Sequence, residues 1–159
     1  MEIKIRKAKI NDCKDVFNWR NDELTRKVSF SSDPVSYDDH LRWFNDSLSD
    51  PSRTIYIGEN HNGNKIGVIR LDRRNKDVAE FNINIAPEMR GKGYGSRLIE
   101  LACVSYSQEY GQCLFLARIK KDNLASFKTF KKAGFIELFE YNDKDLGPIT
   151  VLSNGAGRE

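Results

Sequence analysis

Apolar and polar residues alternate along several stretches of the chain, and this alternation predicts β-strands. One stretch lies near the start, at residues 2–7. Three more occur in the middle of the chain, at residues 53–59, 65–73 and 78–85. The short polar segments between them are typical of tight turns, so residues 53–85 are predicted to fold as three consecutive antiparallel strands.

Other segments carry apolar residues every three or four positions, which is typical of helices that pack one face on a core. Leu41, Phe44 and Leu48 follow this spacing, and Ser36 is suited to cap the helix that contains them. The same pattern predicts further helices at about 12–19, 22–28, 92–110 and 123–133. Short apolar runs predict strands at 112–119, 134–141 and 149–152. The chain is therefore expected to be an α/β (α+β) protein.

The composition suits one compact domain and excludes some classes of protein. The 159 residues are 39% hydrophobic, and no apolar run is long enough to cross a membrane. We expect a single domain at 1–153, a frayed tail at 154–159 and, without a leader-like start, a cytoplasmic location. The net charge of +3 arises from interspersed charges, which argues against nucleic acid or membrane partners. The three cysteines have no metal-binding spacing, so no metal is expected.

A glycine-rich turn joins the strand at 78–85 to the helix predicted at 92–110. Gly91, Gly93 and Gly95 alternate with other residues there. Free backbone amides at a helix start, together with the helix dipole, bind anions. The spacing fits neither the P-loop nor the dinucleotide-binding pattern, yet it predicts a phosphorylated cofactor.

Two segments resemble conserved motifs of one superfamily. The run from Arg90 to Gly95 resembles motif A of the GCN5-related N-acetyltransferases (GNAT), and the run from Asn123 to Phe135 resembles their motif B. The resemblance implies the GNAT fold, a mixed and mostly antiparallel sheet of about seven strands, splayed after the fourth and flanked by helices. It also implies acetyl-CoA as cofactor. The residues expected to bind it are Ile85, Arg90, Gly91, Lys92, Gly93, Tyr94, Gly95, Ser96, Asn123, Ser126, Phe130 and Lys132.

The fourth strand supplies a candidate catalytic group. Glu80, Asn82 and Asn84 share one face of this strand, which either lines a cleft or faces solvent. In the family this strand often carries the general base, and Glu80 occupies the corresponding position. The tyrosine that the family uses to protonate the leaving thiolate is replaced by Phe130, so the general acid is unassigned.

The N-terminal half concentrates aromatic residues around an arginine and a histidine. It resembles the GNAT members that acetylate nucleotide-linked amino sugars for bacterial surface glycans. The resemblance implies a primary amine as acceptor, most specifically the 4-amino group of a UDP-linked dideoxy sugar. Phosphates would meet Arg20 or Arg73. The expected substrate residues are Arg20, Asn21, His40, Asp72 and Asn82.

Other acceptors stay open on the sequence alone. A protein N-terminus, a polyamine or an aminoglycoside would each offer an amine, and the missing tyrosine leaves room for a CoA-binding protein without activity. The partner expected is a small-molecule amine, and the protein itself is expected to be a monomer or a homodimer.

Overall fold

The computed structural model describes residues 2–154. Seven strands, five α-helices and two short 3-10 helices (Ile10–Asp12 and Pro87–Met89) follow one another along this part of the chain. The strands are β1 (Ile3–Lys7), β2 (Arg53–Asn60), β3 (Lys65–Asn75), β4 (Val78–Ile85), β5 (Leu114–Lys120), β6 (Ile136–Asp143) and β7 (Gly147–Asn154). The helices are α1 (Cys13–Arg20), α2 (Glu23–Val28), α3 (Tyr37–Ser49), α4 (Tyr94–Tyr110) and α5 (Leu124–Lys132).

The strands form one sheet in the order β1-β2-β3-β4-β5-β7-β6. Neighbours are antiparallel except β4 and β5, which run parallel and pair only from Val78 with Leu114 to Glu80 with Leu116. Beyond Glu80 the two strands separate, and a gap opens between them. The predicted mixed sheet of about seven strands, splayed after the fourth, is confirmed.

Helices cover both faces of the sheet. On one face, α4 and α5 pack on residues such as Phe81, which lies in a buried cluster with Leu98 and Phe130. On the other face, Trp19 and Phe44 anchor α1 and α3 against β2. Burying this apolar surface supplies the main driving force for folding.

Element boundaries differ from the predictions where glycines or strand pairing decide them. Helix α4 begins at Tyr94 because Gly93 before it has a positive φ of 81°, a conformation that ends regular structure and favours glycine. Strand β7 is longer than predicted and lies between β5 and β6. Asn154, assigned to the frayed tail, ends this strand, and residues 155–159 lie outside the described part of the chain.

None of the helices in the described chain is both long enough and apolar enough to span a bilayer. The cytoplasmic location stays a prediction.

Candidate active site

The glycine-rich turn leaves the start of α4 open to a ligand. Asp22, Ser36 and Asn123 cap α2, α3 and α5 with their side chains. Helix α4 instead follows Gly93, which has no side chain to offer. The first amides of a helix lack partners within it, so those of α4 can donate to an anion, as predicted for this turn.

Arg90 and Gly95 in this turn make contacts within the protein. The Arg90 guanidinium donates to Asp22 Oδ2 at 3.1 Å and so ties the turn to α2. A Cβ on Gly95 would lie 2.7 Å from Cγ2 of Thr129, so glycine is needed for the close contact of α4 with α5. Phosphate binding by Arg90 therefore competes with an existing ion pair.

A cleft of about 560 Å³ occupies the gap between β4 and β5 and extends beneath α1 and α3. Asn82 and Asn84 line it from β4, and Arg118 and Lys120 line it from β5. Helix α5 adds Asn123, Ser126 and Phe130. The predicted polar face of the fourth strand thus borders a cleft at Asn82 and Asn84.

Of the cofactor residues predicted in motif B, some line the cleft and one does not. Phe130 is buried, packs edge-on against Phe81, and still reaches the cleft wall. Asn123 caps α5 by accepting from the Ser126 amide at 3.2 Å. Lys132 is exposed at the other end of α5 and does not line the cleft.

Arg20 and His40 lie together at the far end of the cleft. Nη1 of Arg20 and Nε2 of His40 are buried, and within residues 2–154 neither atom has a hydrogen-bond partner. Burial lowers the pKa of His40, and the nearby charge of Arg20 lowers it further, so the imidazole is neutral at pH 7. Rings of Phe17, Trp43 and Phe44 surround it. Leaving such polar atoms unpaired costs about 1 to 3 kcal/mol each, so these two are suited to a polar ligand.

Asp72 and Asn21 do not line the cleft, and their expected substrate contacts stay a prediction. Asp72 accepts from Arg53 at 2.8 Å and from Arg70 at 3.2 Å. The Asn21 side chain donates to the Val35 carbonyl and accepts from the Val35 amide. Because these polar groups are already satisfied, Asp72 orients Arg70 and Asn21 fixes the loop before α3.

Two further residues lie apart from the cleft. Arg73 donates to the Tyr106 hydroxyl at 3.1 Å and does not line the cleft, whereas Arg20, the other arginine expected to meet phosphate, does. Glu80 is also absent from the wall. Its Oε1 accepts two hydrogen bonds from Arg74, at 3.0 and 3.1 Å, and its Oε2 accepts one from Arg118 at 2.8 Å. Its role as base stays a prediction.

Sequence reasoning missed Arg118 and gave Lys120 no specific role. Both alternate along β5 with buried Ala117 and Ile119. That alternation shows that they share a face. Only the pairing of β5 with β4, which the sequence does not state, shows that this face borders the gap.

Comparison with known proteins identifies the family. A model of the acetyltransferase (GNAT) domain matches residues 2–136. The chain belongs to the GNAT acetyltransferase family. It is therefore an N-acetyltransferase that uses acetyl-CoA, as the two motifs predicted.

Relatives of this GNAT protein are named after different amines. It is 34% identical over 119 residues, 71% of each chain, to a Bacillus subtilis (strain 168) protein provisionally named phosphinothricin acetyltransferase. It is 25% identical over 139 residues, 86% of this chain and 80% of the other, to spermidine N(1)-acetyltransferase of Vibrio cholerae. The crystal structure of a Vibrio cholerae spermidine N-acetyltransferase with CoA and spermine superposes with a TM-score of 0.85 at 21% identity, covering 97% of this chain and 95% of that one. This last likeness shows a shared fold.

Proposed function

We propose that this GNAT protein acetylates the primary amine of a small, negatively charged acceptor, specifically the 4-amino group of a UDP-linked dideoxy amino sugar. The observation that carries the proposal is the charge of the cleft. The charged residues of its wall are four cations and one acid: Arg20, Arg70, Arg118, Lys120 and Asp39.

This charge balance disfavours a polyamine acceptor. Spermidine is a polycation at neutral pH, and like charges about 4 Å apart repel by roughly 1 to 4 kcal/mol, depending on their exposure to solvent. The acidic residues available for a polyamine site lie outside the cleft or already pair with a cation: Asp22 pairs with Arg90 and Asp39 pairs with Arg42. An acceptor that carries phosphate, phosphinate or carboxylate gains from the same field.

A nucleotide-linked sugar matches the polar and aromatic groups that line the cleft. The guanidinium of Arg20 and the imidazole of His40 offer unpaired nitrogens to a diphosphate. The indole of Trp43 is 36% exposed and lines the cleft, so it can stack on a uracil. Asn82, at the gap between the strands, can bond sugar hydroxyls. Phosphinothricin, which is an anionic amino acid, is the second candidate, because a relative bears its name and the same cations would bind it.

The cofactor side of the proposal follows the motifs. The loop from Gly91 to Gly95 and the open amides of α4 would hold the pyrophosphate, and Ile85, Ser126 and Phe130 would flank the pantetheine arm. The chain then has to keep the amine neutral and close to the thioester. Phe130 cannot donate a proton, and Lys120, which lines the cleft from β5, would offer positive charge to the leaving thiolate. This charge takes over part of the role of the missing acid.

A thiol-release assay tests the function. The protein is mixed with acetyl-CoA and one candidate acceptor in each reaction. The acceptors are a UDP-4-amino-4,6-dideoxy sugar, phosphinothricin, spermidine, an aminoglycoside and a peptide with a free N-terminus. Release of CoA should be fastest with the nucleotide sugar and negligible with spermidine.

Other results of this assay would change the proposed acceptor. Fast release with phosphinothricin alone would keep the anionic acceptor and reject the nucleotide. Fast release with spermidine would reject the charge argument. No release with any amine, while acetyl-CoA still raises the melting temperature, would exclude all five acceptors.

A further inference from the structure

Three charged side chains form a connected group where β4 and β5 separate. Glu80, at the last paired position of β4, has only 7% of its surface exposed. One of its oxygens binds the guanidinium of Arg74 at 3.0 Å, and the other binds that of Arg118 at 2.8 Å. Arg74 and Glu80 stay outside the cleft wall, whereas Arg118 belongs to it.

This arrangement is unfavourable for a general base. A base needs a free lone pair within hydrogen-bond reach of the acceptor's amine. Three of the four lone pairs of the Glu80 carboxylate already accept charge-assisted hydrogen bonds, which are about twice as strong as neutral ones. Arg118 lines the cleft and Glu80 does not, so an amine in the cleft lies beside Arg118 and not beside the remaining lone pair.

The same contacts fix the position of Arg118. Its Nε donates to Glu80, its Nη1 donates to the Tyr141 hydroxyl at 3.4 Å, and its guanidinium lies 5.2 Å from the ring centre of Phe30. These partners come from β4, β6 and the loop after α2. A long side chain that is held from three directions loses little further conformational entropy when it binds a ligand.

Arg118 also lies beside the expected reaction centre. Extending the parallel register beyond Glu80 and Leu116 places Asn82 opposite Arg118 across the gap. The cleft wall includes Arg20 of α1 and Phe130 of α5, and these two helices pack on opposite faces of the sheet. A ligand that reached from one face to the other through the gap would pass the guanidinium.

We propose that Glu80 is a positioning residue that holds Arg118, and that Arg118 binds an anionic or carbonyl oxygen of the acceptor next to its reacting amine. The second half of this inference rests on the proposed acetyltransferase function; the first half does not.

A double-mutant cycle separates positioning from base catalysis. Glu80→Gln, Arg118→Met and the double variant are assayed with acetyl-CoA and the UDP-4-amino sugar. Loss of a charge-assisted contact should raise the KM for the acceptor about ten- to hundred-fold in each single variant, with the KM for acetyl-CoA unchanged. Since Glu80 acts through Arg118, the double variant should match Arg118→Met.

The pH profile gives an independent readout. If Glu80 positions Arg118, the pH dependence of kcat in Glu80→Gln should follow that of the wild type. A base role predicts instead that kcat falls at neutral pH and recovers at high pH, where the free amine dominates, and that the two mutations add. Either of these results, or an acceptor KM that Arg118→Met leaves unchanged, would overturn the inference.

Lys121→Met is the matched control. Lys121 is a cation close to Arg118 in sequence that pairs with Glu140 and does not line the cleft. Its removal should leave both KM values unchanged. Acetyl-CoA should still raise the melting temperature of every variant, which shows that each one is folded.

An NMR measurement tests the positioning without any acceptor. The Nε–H signal of Arg118, assigned by its loss in Arg118→Met, should be protected from water exchange in the wild type and unprotected in Glu80→Leu, which has no acceptor oxygen. Protection that persists in Glu80→Leu would overturn the positioning role. If the signal behaves as expected but the nucleotide sugar is not acetylated, the proposed acceptor fails and the positioning role stands.

Discussion

At the scale of single residues, Arg20 and His40 bring two unpaired nitrogens to one end of the cleft. Folding left them buried without partners within residues 2–154. Binding sites commonly contain such unsatisfied groups because the ligand completes their hydrogen bonds. Both residues were expected from the sequence to bind substrate, and their arrangement supports an anionic acceptor.

Replacing Arg20 by methionine removes its charge and keeps most of its apolar length. We expect the KM for the UDP-4-amino sugar to rise at least ten-fold, because a charge-assisted contact is lost, while the KM for acetyl-CoA stays the same. Steady-state kinetics with each substrate varied in turn measures both values. Lys27→Met, which removes an exposed cation from α2, should change neither; an unchanged acceptor KM in Arg20→Met would argue against the anion site.

His40 should make stability depend on pH in the neutral range. Because burial and Arg20 lower its pKa, the unfolded chain takes up a proton at a higher pH than the folded protein does. The contribution of His40 to stability is therefore present above about pH 6.5 and is lost as the pH falls through the lowered value. His40→Phe, whose ring fits among Phe17, Trp43 and Phe44, should lose less stability between pH 7.5 and 5.5. Urea unfolding at the two pH values measures this, and equal losses in both proteins would contradict it.

At the scale of elements, the contact between α4 and α5 sets the position of both motifs. Gly95 provides the room for Thr129, and the Thr129 hydroxyl is fixed by a 2.8 Å bond to the Ala125 carbonyl. The methyl group of Thr129 therefore cannot rotate away without losing that bond. The third glycine of the turn serves helix packing, whereas the sequence pattern alone suggested that it serves the ligand.

Gly95→Ala should lower the free energy of unfolding by about 1 to 3 kcal/mol through overpacking. It should also weaken acetyl-CoA binding, because α5 has to shift away from α4. Calorimetry and urea unfolding measure the two effects. Thr129→Ser removes the obstructing methyl group and keeps the hydroxyl, so the double variant should recover most of both losses. A double variant as impaired as Gly95→Ala would show that the methyl contact is not the cause.

At the scale of the whole molecule, a buried carboxylate joins the N-terminal segment to the sheet. Asp12 is fully buried, receives two hydrogen bonds of 2.9 Å from Arg6 on β1, and pairs with Lys65 on β3 at 2.8 Å. Burial disfavours its charge, but the bonds from Arg6 and Lys65 prevail and hold the pKa of Asp12 far below its usual range. The strand, the first helix and the central hairpin thus share one ionic centre.

Asp12→Asn should lower the free energy of unfolding at pH 7 by about 3 kcal/mol, because two cations lose their buried partner. A carboxylate with a lowered pKa stabilises the protein above its unfolded value, near 3.9, and this contribution is lost as the pH falls through the folded value. The difference between variant and wild type should therefore shrink from pH 7 to pH 3 in urea unfolding. Asp15→Asn, which removes an exposed partner of Lys65, should cost less than about 1 kcal/mol.

The sequence by itself determined the elements, the fold class and the cofactor. Alternating and helical patterns are local, and they located every strand and helix to within a few residues. The glycine turn and the run from Asn123 to Phe135 are local as well, since the first lies in one loop and the start of α4 and the second spans α5 and its two ends. Glycine and asparagine at such junctions are required by backbone geometry, so they can be recognised without a structure.

Only the tertiary structure decided which polar side chains line the cleft. Glu80 and Asp72 satisfied the sequence criteria for cleft residues, but arginines from neighbouring strands occupy their oxygens. Arg118 became a cleft residue because β5 pairs with β4 for three positions and then diverges. Such partners lie up to 38 positions apart along the chain, and their meeting depends on strand order and register, which no local pattern specifies.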